Sequence, residues 1–342
     1  MKSFLDIFKW SVLATLAALV AAYFYGGLGA IVVVAILIAL ESSISFDNAV
    51  VNATVLRRMS RGWQRAFLTI GILIAVFGMR LFFPVAIVAV ATKLGLLEVV
   101  HQALNDQDAY AQNVEKAAPI IGSFGGTFLL MVALTFFLEE RQERHWIRPV
   151  ERVLRKLGQV PGLPTAVAAS AVVATAQLVP EEATQDVLLS GLVGLIVFLV
   201  VRGASDVLER SQAEDGGAAK ATGAAGLAAF LYLEMLDASF SLDGVLGAFA
   251  ISTDIVVIAL GLGVGAIYVR SLTVYLVRRE TLQRYVYLKH GAHWAIAALA
   301  VILFLSVEYH VPEWLTAIVG LGFIGAALTS SLVHNRRAAD EH

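Results

Sequence analysis

Glu41-Ser42-Ser43-Ile44-Ser45-Phe46-Asp47-Asn48 stands in the middle of an apolar run from about Leu28 to Leu56, and its reading decides the fold. An acid at mid-helix in hydrocarbon costs about 2.5 to 3.5 kcal/mol even on lenient insertion scales, so chains keep one there for a use. A second copy follows in Asp237-Ala238-Ser239-Phe240-Ser241-Leu242-Asp243-Gly244. Its acids again stand six apart, Ser241 precedes Asp243 as Ser45 precedes Asp47, and Glu234 adds a carboxylate one turn upstream.

The rest of the chain supplies the hydrocarbon setting. Of its 342 residues, 58% are hydrophobic and only 15% charged, and the mean hydropathy is +0.78, far above that of a soluble domain. This composition predicts an all-α polytopic membrane protein. A net charge of -2 and basic residues scattered over short loops exclude a nucleic-acid footprint. No cysteine is present, which excludes disulfides, thiolate metal sites and thiol redox chemistry, and the seven histidines lie outside both motifs.

Apolar windows of spanning length fall at about 10–25, 28–56, 66–92, 118–138, 164–180, 186–202, 222–250, 254–277, 294–308 and 313–333, which predicts ten helices. Lys2 and Lys9 precede the first window, but Tyr23-Phe24-Tyr25 is not a small-residue cleavage site, so this run reads as a membrane helix. With the N-terminus inside, the cytoplasmic segments carry Lys2 and Lys9; Arg57, Arg58, Arg61 and Arg65; Arg141, Arg144, Arg148, Arg152, Arg155 and Lys156; Arg202, Arg210 and Lys220; Arg278, Arg279, Arg284 and Lys289; and Arg336 and Arg337. The outer loops hold only Lys93 and Lys116. That bias predicts both termini in the cytoplasm and a multi-pass protein of the cell membrane. The acidic outer loops, with Glu98, Asp106, Asp108 and Glu115 in one of them, read as ordinary solvated loops, with a vestibule that concentrates cations as the alternative.

Residues 1–204 form the first membrane half, with the sixth helix opening the second repeat at about 186. Residues 205–223 read as a cytoplasmic connector, and 224–342 complete the second half. Five helices separate the motif-bearing second and seventh helices, which therefore run in opposite directions. The expectation is an inverted repeat with binding groups at the bilayer midplane.

On a straight helix Glu41, Ser45, Asn48 and Asn52 share a face, as do Asp237, Ser241 and Gly244, while Asp47 and Asp243 point about a third of a turn away. Either each site spans two helix faces or the backbone opens near the Ser-x-Asp step. The candidate ligands are Glu41, Asp47, Asn48, Glu234, Asp237 and Asp243, with Ser45 and Ser241 auxiliary. Such hard oxygen donors suit Mn²⁺, Mg²⁺ or Ca²⁺, as substrate, and call for no organic cofactor. Crowded carboxylates also provide for proton exchange. Arg80, near mid-span, and Arg270 are the counter-charges; Arg270, closer to the cytoplasmic end, has snorkelling as an equal alternative. Glu139 and Glu140 read as interfacial, and His290 and His293 as anchors at a helix start.

At these residues the chain resembles the TerC family, tellurium-resistance and Alx-like membrane proteins within the LysE-type transporter group. Glu41, Ser45, Asp47 and Asn48 match a Glu-x-x-x-Ser-x-Asp-Asn pattern; Asp237, Phe240, Ser241 and Asp243 match an Asp-x-x-Phe-Ser-x-Asp-Ser pattern. Gly244 stands where the second pattern has serine, and ten helices exceed that family's common seven, so the resemblance is to a divergent branch. It implies divalent cation efflux, with Mn²⁺ favoured. Two other functions fit the same residues: a non-transporting stress-response or protein-insertion partner acting through Arg141–Lys156, and an intramembrane hydrolase with paired aspartates.

Overall fold

The computed structural model describes residues 4–139, 145–214, 221–278, 281–309 and 311–340. Within these, the side chains of 4–6, 139, 205, 207–214, 242, 243, 246, 250, 313 and 338–340 lie outside the description. So do the whole residues Lys2, Arg141, Arg144, Lys220 and Arg279, on which part of the topology argument rests, and Glu140, which reads as interfacial.

The described chain is helical: α1 (Phe4–Ile44), α2 (Phe46–Leu56), α3 (Arg61–Leu73), α4 (Phe83–Thr92), α5 (Leu96–Asn105), α6 (Gln107–Leu134), α7 (Arg148–Leu157), α8 (Leu163–Ala176), α9 (Glu181–Glu214), α10 (Gly223–Ile251), α11 (Ile255–Arg278), α12 (Thr281–Arg284), α13 (Leu288–Leu305) and α14 (Glu313–Asp340). Among the described residues, eight helical runs are long and apolar enough to cross a membrane. Helices satisfy their own backbone hydrogen bonds, as a chain in hydrocarbon must. The protein is an all-α multi-pass membrane protein. The apolar helix α8 has 14 residues, short of the roughly 20 that a span needs.

The first run is two arms. Gly26 and Gly27 leave helical geometry, and Gly27 has φ 68° and ψ -152°, a region only glycine enters freely. Along the first arm Ser11 meets Ser271, Thr15 meets Tyr268 and Tyr25 reaches Asp254, so it descends α11. Along the second, Leu37 abuts Gly261 and Glu41 abuts Gly265, so the chain has turned back and runs with α11. This reversal carries Glu41 into the interior.

Helix α6 is the axis of the rest. It is mostly buried, and its Gly122 and Gly126 lie against the backbone carbonyls of Leu303 and Ala300 on α13. From the other side Gly194 of α9 sits on the Phe124 carbonyl, and Ser123 Oγ donates to Val187 O at 2.7 Å. Without a hydrophobic force between helices in lipid, such close approach supplies the packing. The outer helices instead expose large apolar side chains, including Phe24, Leu28, Val200 and Ile318.

Helix α9 continues to Glu214 and α10 starts at Gly223, so eleven residues of the expected connector 205–223 are helical. Ala, Glu, Arg and Leu there favour helix over open chain. At the connector's far end, Ala221 is buried and bonded on both sides, to Arg58 O at 2.8 Å and from Ser60 N at 2.9 Å.

Candidate functional site: a buried acid and arginine network

The two motifs meet. Helix α1 ends at Ile44 and α2 starts at Phe46, with Ser45 between them at φ -81° and ψ 21°. Ser45 N still donates to Glu41 O and Ala49 N to Ser45 O, both at 3.1 Å, so the step is a one-residue distortion and not an opening. Helix α10 passes unbroken through Ser241, Asp243 and Gly244. The backbone of the second motif therefore does not open, and an intact ladder leaves no backbone group bare in lipid.

Each motif takes an arginine from the span that follows it. Arg80 Nη2 lies 2.5 Å from Glu41 Oε1, and Arg270 forks onto Glu234 with three contacts of 3.2 Å. Asp237 joins the two pairs: Arg270 Nη2 donates to its Oδ2 at 3.1 Å, and Arg80 Nη1 stands 3.8 Å from the same oxygen. The first motif closes the link, since Asn48 Nδ2 donates to Asp237 Oδ1 at 2.9 Å and Ser45 Oγ to Glu41 Oε1 at 3.2 Å. Arg80 and Arg270 are among the most deeply buried side chains in the molecule, at 2% and 1% exposure, so Arg270 does not snorkel.

Local structure holds both arginines. Residues 74–82 form a π-helical stretch, an expanded turn often found at functional sites, and Arg80 Nη1 returns to the Ala75 carbonyl at 3.2 Å. The Arg270 guanidinium lies 3.7 Å from the Phe67 ring centroid and donates to Phe67 O. Small residues clear the space. A Cβ at Gly71 would stand 2.7 Å from Glu234 Oε1, one at Gly244 would stand 2.6 Å from Glu41 Oε2, and one at Gly265 would collide with the Glu41 stem.

Of the ten residues singled out in the sequence, Glu41, Ser45, Asn48, Glu234, Asp237, Arg80 and Arg270 form this network. Asp47 is buried, and its Oδ1 accepts from the adjacent Asn48 N at 2.9 Å. Ser241 is buried on α10, and the Asp243 side chain lies outside those described. Phe67, Gly71 and Gly265 carry no sequence signal that separates them from ordinary helix packing. Asn52 does, sharing the motif face.

Electrostatics limits what the network does. Three buried acids, Glu41, Glu234 and Asp237, face two guanidinium groups, and a fourth acid, Asp47, is buried on α2, an excess of negative charge when all are ionised. Each ion removed from water costs several kcal/mol, recovered only through close pairing. Asn48 Oδ1, both amide atoms of Asn52, Ser241 Oγ and Arg80 Nε are buried with no hydrogen-bond partner among the described residues. An unpaired buried polar group costs about 1 to 3 kcal/mol and calls for an explanation such as an ion or ordered water. Beside the network, a cleft of about 460 Å³ is lined by Lys9, Trp10, Ile72, Arg270, Ser271 and Arg278 among others.

The histidines near the α13 start are buried within the protein. His293 stacks on Phe136 at 3.6 Å, with Nδ1 at 2.8 Å from the Lys289 carbonyl.

Fold and site together define a class: a multi-pass helical membrane protein with a charged, oxygen-rich centre shared by two sequence motifs. The chain belongs to the family described as "Protein of unknown function (DUF475)", whose model matches residues 46–338 and so takes in both arginines and every network acid except Glu41. No curated protein and no solved structure matches the chain.

Proposed function

We propose that the protein carries divalent cations, Mn²⁺ first, outward across the cell membrane by alternating access, with Glu41, Asp47, Asn48, Glu234, Asp237 and Asp243 as its ligands. The observation that carries the reading is the set of buried oxygens without a hydrogen-bond partner among the described residues, Asn48 Oδ1, Asn52 Oδ1 and Ser241 Oγ, together with buried carboxylates in excess over the buried arginines. Hard oxygen donors with net negative charge suit Mn²⁺, Mg²⁺ or Ca²⁺. The resemblance of both motifs to the TerC pattern narrows the choice to Mn²⁺.

In this reading the chain crosses ten times with both termini in the cytoplasm, the two arms of α1 counting separately and α8 as a short span. The halves form an inverted repeat, which the matching pairs Glu41 with Arg80 and Asp237 with Arg270 support. Arg80 is the group that moves. Its 3.8 Å contact with Asp237 is the longest in the network, so an entering cation replaces it there at least cost, and its return expels the cation. Proton exchange at the same carboxylates couples the cycle.

A fixed scaffold, serving a non-transporting membrane partner, has one observation in its favour: both arginines already pair with acids. Proteoliposome flux separates the two. Saturable Mn²⁺ movement lost in Asp47→Asn and Asp237→Asn supports the carrier, whereas no flux in the wild type, or unchanged flux in both variants, rejects it.

A further inference from the structure

A second cluster of metal-ligating side chains lies away from the network, where α7 meets α13. Glu151 in the first turn of α7 faces His145 from the preceding loop and His290 from the first turn of α13. Glu151 Oε2 stands 3.6 Å from His145 Nδ1 and 3.6 Å from His290 Nε2. The three ligand atoms all lie within 4.8 Å of one another.

We infer that His145, Glu151 and His290 form a binding site for an imidazole-preferring divalent cation of the Zn²⁺ class. At 3.6 Å the carboxylate and imidazoles are too far apart for good hydrogen bonds. The spacing suits an ion between them: with metal bonds of about 2.0 to 2.2 Å in tetrahedral geometry, neighbouring donor atoms stand roughly 3.3 to 3.6 Å apart. Two imidazoles and one carboxylate, with a fourth position for water, are a borderline donor set. It differs in kind from the all-oxygen centre and selects different metals.

The surroundings orient the carboxylate as ligand supports do. Trp146 N donates to Glu151 Oε2 at 2.9 Å, Ile147 N to Oε1 at 3.3 Å and Trp294 Nε1 to Oε1 at 3.2 Å. Phe136 meets the His290 ring edge to face, 5.4 Å between centroids, and walls one side. Glu151 and His290 are each 3% exposed, while the His145 side chain, at 16%, is the accessible one through which an ion enters. A bound ion ties the start of α7 to the start of α13. The site is structural or sensory and is independent of cation transport.

The test uses the full-length protein in detergent, stripped with a chelator, titrated with Zn²⁺ and separately with Co²⁺ as a spectroscopic probe. Expected are one tight Zn²⁺ per chain, the visible absorption of tetrahedral Co²⁺, at least about tenfold weaker binding in His145→Ala and His290→Gln, and retention in Asp237→Asn. His145→Ala alters a partly exposed loop residue, so it remains informative if His290→Gln fails to fold. Undiminished Zn²⁺ binding in His145→Ala, no tight Zn²⁺ in the wild type, or binding lost in Asp237→Asn while His145→Ala keeps it would each overturn the assignment.

Discussion

Asn48 of the first motif donates through Nδ2 to Oδ1 of Asp237 in the second at 2.9 Å, a bond that spans 189 residues of chain. Its partner oxygen, Asp237 Oδ2, is shared by Arg80 and Arg270. One carboxylate thus connects both motifs and both guanidinium groups, and the consequences are testable.

Asp237→Asn removes the acceptor that both arginines share. Breaking a buried pair by deleting one partner costs about 3 to 5 kcal/mol, because the surviving charge stays buried. Thermal unfolding in detergent should fall accordingly, and by more than for Asp206→Asn, whose pair with Arg202 is partly exposed. Equal melting temperatures for the two variants would contradict the shared role.

Arg270→Lys keeps the charge and loses the fork. A lysine ammonium cannot span both Glu234 oxygens and Asp237 while lying over the Phe67 ring, so a loss of about 1 to 3 kcal/mol is expected despite the conserved charge. Chemical denaturation in mild detergent measures it. Wild-type stability would show that the planar geometry is unimportant.

Asn52→Leu separates cost from use. Both amide atoms of Asn52 lack partners among the described residues, so an apolar replacement of similar size should stabilise the fold by about 1 to 3 kcal/mol. If the amide serves a cation, Mn²⁺ affinity should drop in the same variant. A more stable protein with unchanged affinity would remove Asn52 from the site.

Gly265→Ala sets a methyl against the Glu41 stem, whereas Gly320→Ala meets open space within 4 Å. Overpacking of this kind costs about 1 to 3 kcal/mol and displaces the Glu41 carboxylate from Arg80. Reduced stability and cation binding in Gly265→Ala, with neither change in Gly320→Ala, is the expected pattern; matching behaviour of the two variants would rule it out.

Gly27→Ala tests the chain reversal. At φ 68° and ψ -152° an alanine is strained by about 1 to 3 kcal/mol, although nothing lies within 4 Å of its Cβ position. The loss should therefore appear in unfolding measurements with the network's cation affinity intact. No loss at all would mean that the turn takes another conformation.

The sequence by itself determined the membrane class and the two acidic motifs. Both are local properties: an apolar window of spanning length and a polar pattern repeated within it need no knowledge of the fold. It also marked seven of the residues that assemble into the network, since carboxylates, an amide and arginines in hydrocarbon stand out by their cost. The tertiary structure alone decided the pairing. Which arginine meets which acid depends on contacts between residues tens to hundreds of positions apart, and no period in the chain encodes them. The same holds for Gly71 and Gly265, which read as packing residues until the charged side chains beside them are placed. It holds for His145, Glu151 and His290, brought together only where the start of α7 meets α13. The unbroken backbone of α10 was equally open in the sequence; the helix persists because hydrocarbon offers no other partner for its peptide groups.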